Sequence, residues 1–114
     1  MEQNPFKDVP QLDVRTAFDR WKGGEAAMVD VREPSEWDQG HVDGIVWIPL
    51  DQLSRRWREL DPSKQWICVC RRGNRSNYAA AMLRQAGIDA SNMAGGMLDW
   101  KSKGLPITPP GIVE

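Results

Sequence analysis

Apolar and polar positions along the chain switch repeatedly between a strand-like and a helix-like period. Val14, Ala17, Phe18 and Trp21 recur at helical spacing, with Asp13 placed to cap the helix and Gly23 to close it. Ahead of them, residues 9–12 form a short extended segment that Pro10 confines to a sheet edge. Residues 26–31 predict a buried strand ending in Asp30-Val31-Arg32. Pro34 opens a short helical turn through Trp37, and Gly40-His41-Val42-Asp43-Gly44 is a turn cluster. A third strand over 45–48 stops at Pro49, and Leu50, Leu53, Trp57 and Leu60 make a helical stripe that ends at Asp61-Pro62. Trp66, Ile67, Cys68 and Val69 form a fourth strand. Ala79, Met82, Leu83 and Ala86 then mark one helix face, closed by Gly87, with Ile88 set to meet Leu83. A fifth strand over 90–93, Gly95-Gly96, a helix over 97–103 and an irregular Thr108-Pro109-Pro110-Gly111 tail complete the pattern. Strands alternating with helices predict an α/β fold, a largely parallel five-stranded sheet with helices on both faces.

Composition narrows the function classes. At 114 residues, 40% hydrophobic and 27% charged, the chain reads as one ordinary globular domain with room for a core. A formal charge of −1 gives no basic excess for nucleic acid or a membrane surface. The arginines are nevertheless clustered, at 55, 56 and 58 and at 71, 72 and 75, and the first cluster reads as a solvated helix face. No apolar stretch approaches the ~20 residues needed to span a bilayer, and the first residues lack the basic and apolar regions of a signal peptide. Two cysteines, Cys68 and Cys70, make no disulfide framework, and with a single histidine they are too few for a dedicated zinc site. The default location is therefore the reducing cytoplasm.

Chemistry concentrates at Cys70-Arg71-Arg72-Gly73-Asn74-Arg75-Ser76, between the fourth strand and its helix. The end of a strand is where open α/β sheets place their ligands. A helix N-terminus follows, with free N–H groups and a positive dipole end that attract anions. A thiol there, partly exposed and beside three arginines, is expected to ionise more readily than a free cysteine, which titrates near ~8.5. The other reading of Cys70 is a buried structural thiol. The charged run after it opposes that reading, because unpaired buried charge is costly.

Four segments occur in order: Asp30-Val31-Arg32-Glu33; Gly40-His41-Val42-Asp43-Gly44 with Ile48-Pro49; Cys70 through Ser76; and Gly95-Gly96-Met97-Leu98-Asp99-Trp100. In this order the chain resembles the rhodanese-like (sulfurtransferase) domains from about residue 9 to 107. The resemblance implies a single rhodanese-like domain that carries sulfane sulfur as a persulfide on Cys70, without cofactor or metal. The partners it implies are a small anionic donor such as thiosulfate and a thiophilic acceptor, cyanide or a thiol, including a protein thiol. Arg71, Arg72, Gly73, Asn74, Arg75 and Ser76 would form the persulfide-binding loop, with Arg71 and Arg72 facing the donor and Arg75 bracing the loop. Gly73 would permit a left-handed turn there.

Three other readings compete. A related phosphatase or arsenate reductase loop has one more residue between cysteine and arginine than the Cys-x-x-x-x-Arg spacing of Cys70 and Arg75. A second alternative is a non-enzymatic rhodanese-like binding, regulatory or sulfur-carrier module, and binding or regulatory domains of that kind often lack the cysteine. A Cys68–Cys70 redox pair would join residues two apart on a strand, at roughly 6.5 Å between Cα atoms, under strain. Cys68 is read instead as core. Asp30 and Arg32 are expected to support the loop by ion pairing, the bland alternative being an exposed pair of little worth. His41 is read as structural, and the six tryptophans as packing, with Trp47 or Trp66 able to rim a site.

Overall fold

The computed structural model describes residues 6–109. Five strands form one sheet: β1 (Gln11–Leu12), β2 (Ala27–Asp30), β3 (Val46–Trp47), β4 (Trp66–Val69) and β5 (Ala90–Met93). Their order is β1-β5-β4-β2-β3, and every pairing is parallel. Parallel strands buried on both faces need apolar side chains both ways, and β4 supplies them. Trp66 and Cys68 enter one core cluster, Ile67 and Val69 the other.

The first cluster is closed by α3 (Leu50–Arg56) and α4 (Asn74–Gln85), which bring Leu53, Ala79, Ala80 and Leu83. The second is closed by α1 (Val14–Lys22) and α5 (Gly96–Ser102), through Val14, Ala17, Met97 and Trp100. Between them, α2 (Pro34–Gln39) buries none of its residues. The chain runs outward from β2 to β3, returns to the central β4, and then continues the other way to β5. The C-terminal ends of β2 and β4 are therefore a topological switch point, where connections diverge and leave a crevice. Asp30 ends β2 there, and Cys70 follows β4.

Local signals account for most boundaries. Asp13 caps α1, accepting a 2.7 Å hydrogen bond from the Thr16 N–H. Gly87, at φ +90°, ends α4 with bonds from Gly87 N–H to the Arg84 carbonyl (3.1 Å) and Ile88 N–H to the Leu83 carbonyl (3.0 Å). Three expectations shift. The strand expected over 45–48 shortens to Val46–Trp47 and sits at the sheet edge, with one neighbour, before Pro49 ends the ladder. The stripe from Leu50 to Leu60 breaks at Trp57–Glu59 into a tighter 3-10 turn, whose i→i+3 bond from Leu60 N–H to Trp57 carries Leu60 into the core. Thr108, expected in an irregular tail, pairs with His41 through two backbone bonds of 2.8 and 2.9 Å. Pro110 and Gly111 of that tail lie outside the described residues. No described helix is long and apolar enough to cross a membrane.

Gly87→Ala places a Cβ on a left-handed residue at an exposed helix end. It is expected to destabilise the fold by about 1 kcal/mol, read as a lowered urea midpoint with unchanged slope.

Candidate active site

The backbone after β4 wraps around one sulfur. Cys70 is only 1% exposed, so the partly exposed thiol expected from its neighbours is instead the floor of a cradle. Its Sγ accepts hydrogen bonds from the N–H of Gly73 (3.1 Å) and of Ser76 (3.3 Å), and lies 3.2 Å from the Ser76 hydroxyl. Burial of the sulfur and a charged loop coexist because Arg72 is exposed and Arg75 is paired with Glu36. Helix α4 begins at Asn74, so Arg75 and Ser76 belong to its first turn. Ser76 N–H is thus one of the helix N–H groups with no carbonyl of its own helix to bond.

Gly73 makes that turn. At φ +100° it is left-handed, and a Cβ there would lie 3.2 Å from both the Met93 carbonyl oxygen and the Gly95 nitrogen. The Gly95-Gly96 bend presses on the same loop from the other side. Met97 N–H donates to the Cys70 carbonyl (2.9 Å) and Leu98 N–H to the Arg71 carbonyl (3.1 Å). A Cβ on Gly96 would come within 2.6 Å of the Arg72 nitrogen, so no larger residue fits without moving the loop. Asn92, 2% exposed on β5, ties the third side. Its Oδ1 accepts from the Ser76 hydroxyl (2.6 Å), while its Nδ2 donates to the Gly73 carbonyl (3.0 Å) and to Gln11 Oε1 (2.7 Å).

Above the sulfur is a small cavity of about 140 Å³, lined by Cys70, Arg71, Arg72, Asn74 and Arg75. It borders one nucleophilic atom and three cationic residues that differ in their commitments. Arg75 is held in a forked pair by Glu36, at 2.7 and 2.8 Å. Arg72 is exposed. Arg71 is half-buried and already engaged, so it is not the free side chain that the sequence suggested. Among the described residues no three His, Cys, Asp or Glu side chains converge as a metal site would require.

A family model described as "Rhodanese-like domain" matches residues 13–103. The chain belongs to the rhodanese-like domain family. It is 35% identical over 97 residues to the putative sulfur carrier protein YrkF of Bacillus subtilis, covering 83% of this chain and 52% of YrkF. The chain thus spans about half the length of that relative. It is 33% identical over 87 residues to a sulfurtransferase of Allochromatium vinosum, covering 75% of this chain and 81% of that protein. Among solved structures, a rhodanese-related protein from Thermoplasma volcanium superposes with a TM-score of 0.81 at 28% identity, over 87% of this chain and 97% of that one.

The support residues of this rhodanese-like domain work less directly than the sequence implied. Asp30 and Arg32 are no exposed pair: they are 0% and 2% exposed and joined at 2.8–3.0 Å through three side-chain bonds. Arg32 directs its remaining donors to the carbonyls of Gly40 (2.8 Å) and Glu36 (3.4 Å). The pair therefore reaches the 70–76 loop only at second hand, by fixing α2, whose Glu36 holds Arg75. Glu36 carried no signal in the sequence beyond its place in a capping box with Glu33. Asn92 and Gln11 carried none, since an amide within an extended segment announces no partner. His41 stacks on Trp37 (3.8 Å, 1° between planes) and its Nδ1 lies 2.8 Å from the Trp37 carbonyl, which is a structural role. Trp47 also stacks on Trp37 (5.1 Å between ring centres) and donates to the Arg32 carbonyl. Trp66 cannot rim this site, because it begins β4 and bonds the Asp61 carbonyl at the opposite end of the sheet. Cys68 is fully buried, and that burial pushes its thiol pKa up, which keeps it neutral.

The hydrogen bond from Arg75 holds the Glu36 carboxyl below its ordinary value of 4.5. A depressed carboxylate stabilises the fold fully above its unfolded value and loses that contribution as pH falls through the folded one. The stability difference between wild type and Glu36→Gln is accordingly expected to be constant near neutrality and to shrink below pH 4.5, followed by urea unfolding across that range.

Proposed function

We propose that this chain is a sulfurtransferase that moves sulfane sulfur from a small anionic donor of the thiosulfate type to a thiophilic acceptor through a persulfide on Cys70. The observation that carries the reading is the convergence of the Gly73 and Ser76 N–H groups on the Cys70 sulfur, beneath a cavity bordered by arginine. Donors fixed before the reaction stabilise negative charge without reorganising. In the first step the Cys70 thiolate attacks the outer sulfur of thiosulfate; the S–S bond breaks and sulfite leaves with the electron pair. The product is an enzyme persulfide anion. The N–H groups of Asn74 and Arg75, at the first two positions of α4, have no helix carbonyl to bond, and both residues line the cavity into which the added sulfur projects. In the second step cyanide or a thiolate attacks that outer sulfur and Cys70 leaves as thiolate, a double-displacement cycle.

Charge balance supports a small anion over a phosphoryl group. The Arg75 fork faces Glu36 rather than the cavity, so it is not disposed to clamp a tetrahedral phosphate bidentately. Free Cys68 and Cys70 suit a reducing compartment, and we place the activity in the cytoplasm. The similarity to YrkF, a putative sulfur carrier protein, favours a protein thiol among the acceptors.

Two outcomes are expected. Incubation with thiosulfate adds one sulfur to Cys70, seen by intact mass and peptide mapping, and cyanide removes it as thiocyanate. Cys70→Ser abolishes both while folding normally, whereas Cys68→Ala retains them; undiminished thiocyanate release by Cys70→Ser would sink the assignment. Arg72→Ala is expected to raise the thiosulfate KM by about threefold to fivefold at low salt, because an exposed charge contributes up to about 1 kcal/mol. That penalty should fade at high salt, as screening shortens the reach of the charge. A salt-independent loss confined to kcat would refute the role given to Arg72.

A further inference from the structure

A chain of hydrogen bonds runs from the Cys70 sulfur through Ser76, Asn92 and Gln11 to Asn77. Its far end lines a cleft of about 320 Å³ that shares Arg72 and Asn74 with the cavity over Cys70. Two backbone carbonyls, which can only accept, fix the sense of the bonds along it. The Val9 carbonyl takes Gln11 Nε2 (3.2 Å) and so turns Gln11 Oε1 toward Asn92. The Gly73 carbonyl takes Asn92 Nδ2 (3.0 Å) and so turns Asn92 Oδ1 toward Ser76. An Asn92 amide turned the other way would face that carbonyl with an oxygen at the same 3.0 Å.

Ser76 has one hydroxyl proton, and an amide oxygen 2.6 Å away can only accept it. Toward the sulfur, 3.2 Å distant, Ser76 Oγ is left with lone pairs. The proton in that contact therefore belongs to Cys70, as S–H. A thiolate would meet an oxygen lone pair there unless the hydroxyl turned. Ser76 and Asn92 are 0% and 2% exposed, so a bond given up by either is costly.

We infer that Asn92 is a positioning residue that claims the Ser76 hydroxyl and so holds resting Cys70 as its thiol, ionisation turning the hydroxyl from Asn92 to the sulfur. The thiol proton passes to a solvent base at the cavity, and its bonding electron pair stays on sulfur. The Ser76 O–H then rotates about Cβ–Oγ and donates to the thiolate, a charge-assisted bond, while Asn92 Oδ1 loses its donor. Only a hydrogen turns; the heavy atoms stay in place. Resting on the persulfide reading above, the same turn would serve Cys70 as it leaves with the electron pair in the second step. The charged groups around the sulfur are Arg71, Arg72 and Arg75, Glu36 of α2 held on Arg75, the Asp30–Arg32 pair after β2, and Asp99 of α5 beside Gly95. Cys68 of β4 is buried and neutral, and β5 presents the uncharged Asn92. A change at Asn92 leaves all of these in place.

The test follows alkylation of Cys70 by iodoacetamide in full-length protein carrying Cys68→Ala, which leaves one thiol. Asn92→Leu, which cannot accept the hydroxyl, is expected to raise the rate in mildly acidic buffer, relative to the alkaline plateau, by about tenfold, the scale of one hydrogen bond to a charged group. In a Ser76→Ala background the same substitution is expected to leave that ratio unchanged, because Asn92 acts through the hydroxyl. Simple loosening of the loop would move both backgrounds alike. A second measurement needs no Asn92 variant. The Raman S–H band of Cys70 is expected at neutral pH, and to move to higher frequency in Ser76→Ala as the donated bond is lost. An alkylation ratio unchanged or lowered by Asn92→Leu, an equal rise in the Ser76→Ala background, or an S–H band that is absent or unmoved overturns the role given to Asn92. Alkylation uses no thiosulfate, so protein that behaves as expected here yet takes no sulfur overturns the sulfurtransferase proposal and leaves that role standing.

Discussion

A left-handed residue at Gly73 turns the chain from the end of β4 into the start of α4 so tightly that two backbone N–H groups meet on the Cys70 sulfur. Much else follows from keeping that turn in place. The helix must start at once, so the Ser76 N–H lies in its first turn, among those with no helix carbonyl to bond. The Gly95-Gly96 bend must approach closely enough for Met97 and Leu98 to bond the loop carbonyls, which excludes a Cβ at Gly96. Asn92 must face the loop from the adjacent strand to hold both the Gly73 carbonyl and the Ser76 hydroxyl. Parallel pairing of β5 with β4 sets that last relation, with Cys68 opposite Asn92 in register. The sheet thus orients a loop that would otherwise have many conformations.

The electrostatics are arranged by subtraction. Arg32 is neutralised by Asp30 inside the protein, and Arg75 by Glu36 at its rim. Each pair is structural, and a buried one loses much of its Coulomb gain to desolvation, so its use is to fix geometry. What remains available to a ligand is Arg72, in a cavity and cleft without acidic lining. A chain with net charge −1 can in this way present a locally positive mouth.

The fold was legible because its signals are local and periodic. Alternation of short apolar runs with helical stripes specified the α/β class, and Asp13 and Gly87 marked helix ends that the structure reproduces. Cys70 drew notice for the same reason: strand, loop and helix start are adjacent in sequence. The ties to Asn92, Gln11 and Glu36 were illegible, since they join residues 16, 81 and 39 positions apart through ordinary amides and a surface carboxylate. Sheet order alone brings them together, and sequence periodicity does not determine that order. Exposure misled for a related reason. A charged run lying on a helix start turns its side chains to solvent and its N–H groups inward, so arginines beside a cysteine say little about where the sulfur itself lies.

Burial of the sulfur also constrains how this site exchanges with a partner. At 1% exposure the Cys70 sulfur presents almost no surface to a bulky acceptor. In the proposed persulfide, the added sulfur would move the reactive atom outward by a bond length of about 2.05 Å, into the cavity. Such a loaded form would extend its reactive atom farther than the resting form, a difference suited to the proposed transfer from a small donor to a larger acceptor. The same cradle that admits only a slender donor to Cys70 itself offers the outer sulfur at a mouth shared with the wider cleft, where Arg72 and Asn74 belong to both. In the proposed cycle, depth then adds to the charge of Arg72 in distinguishing donor from acceptor.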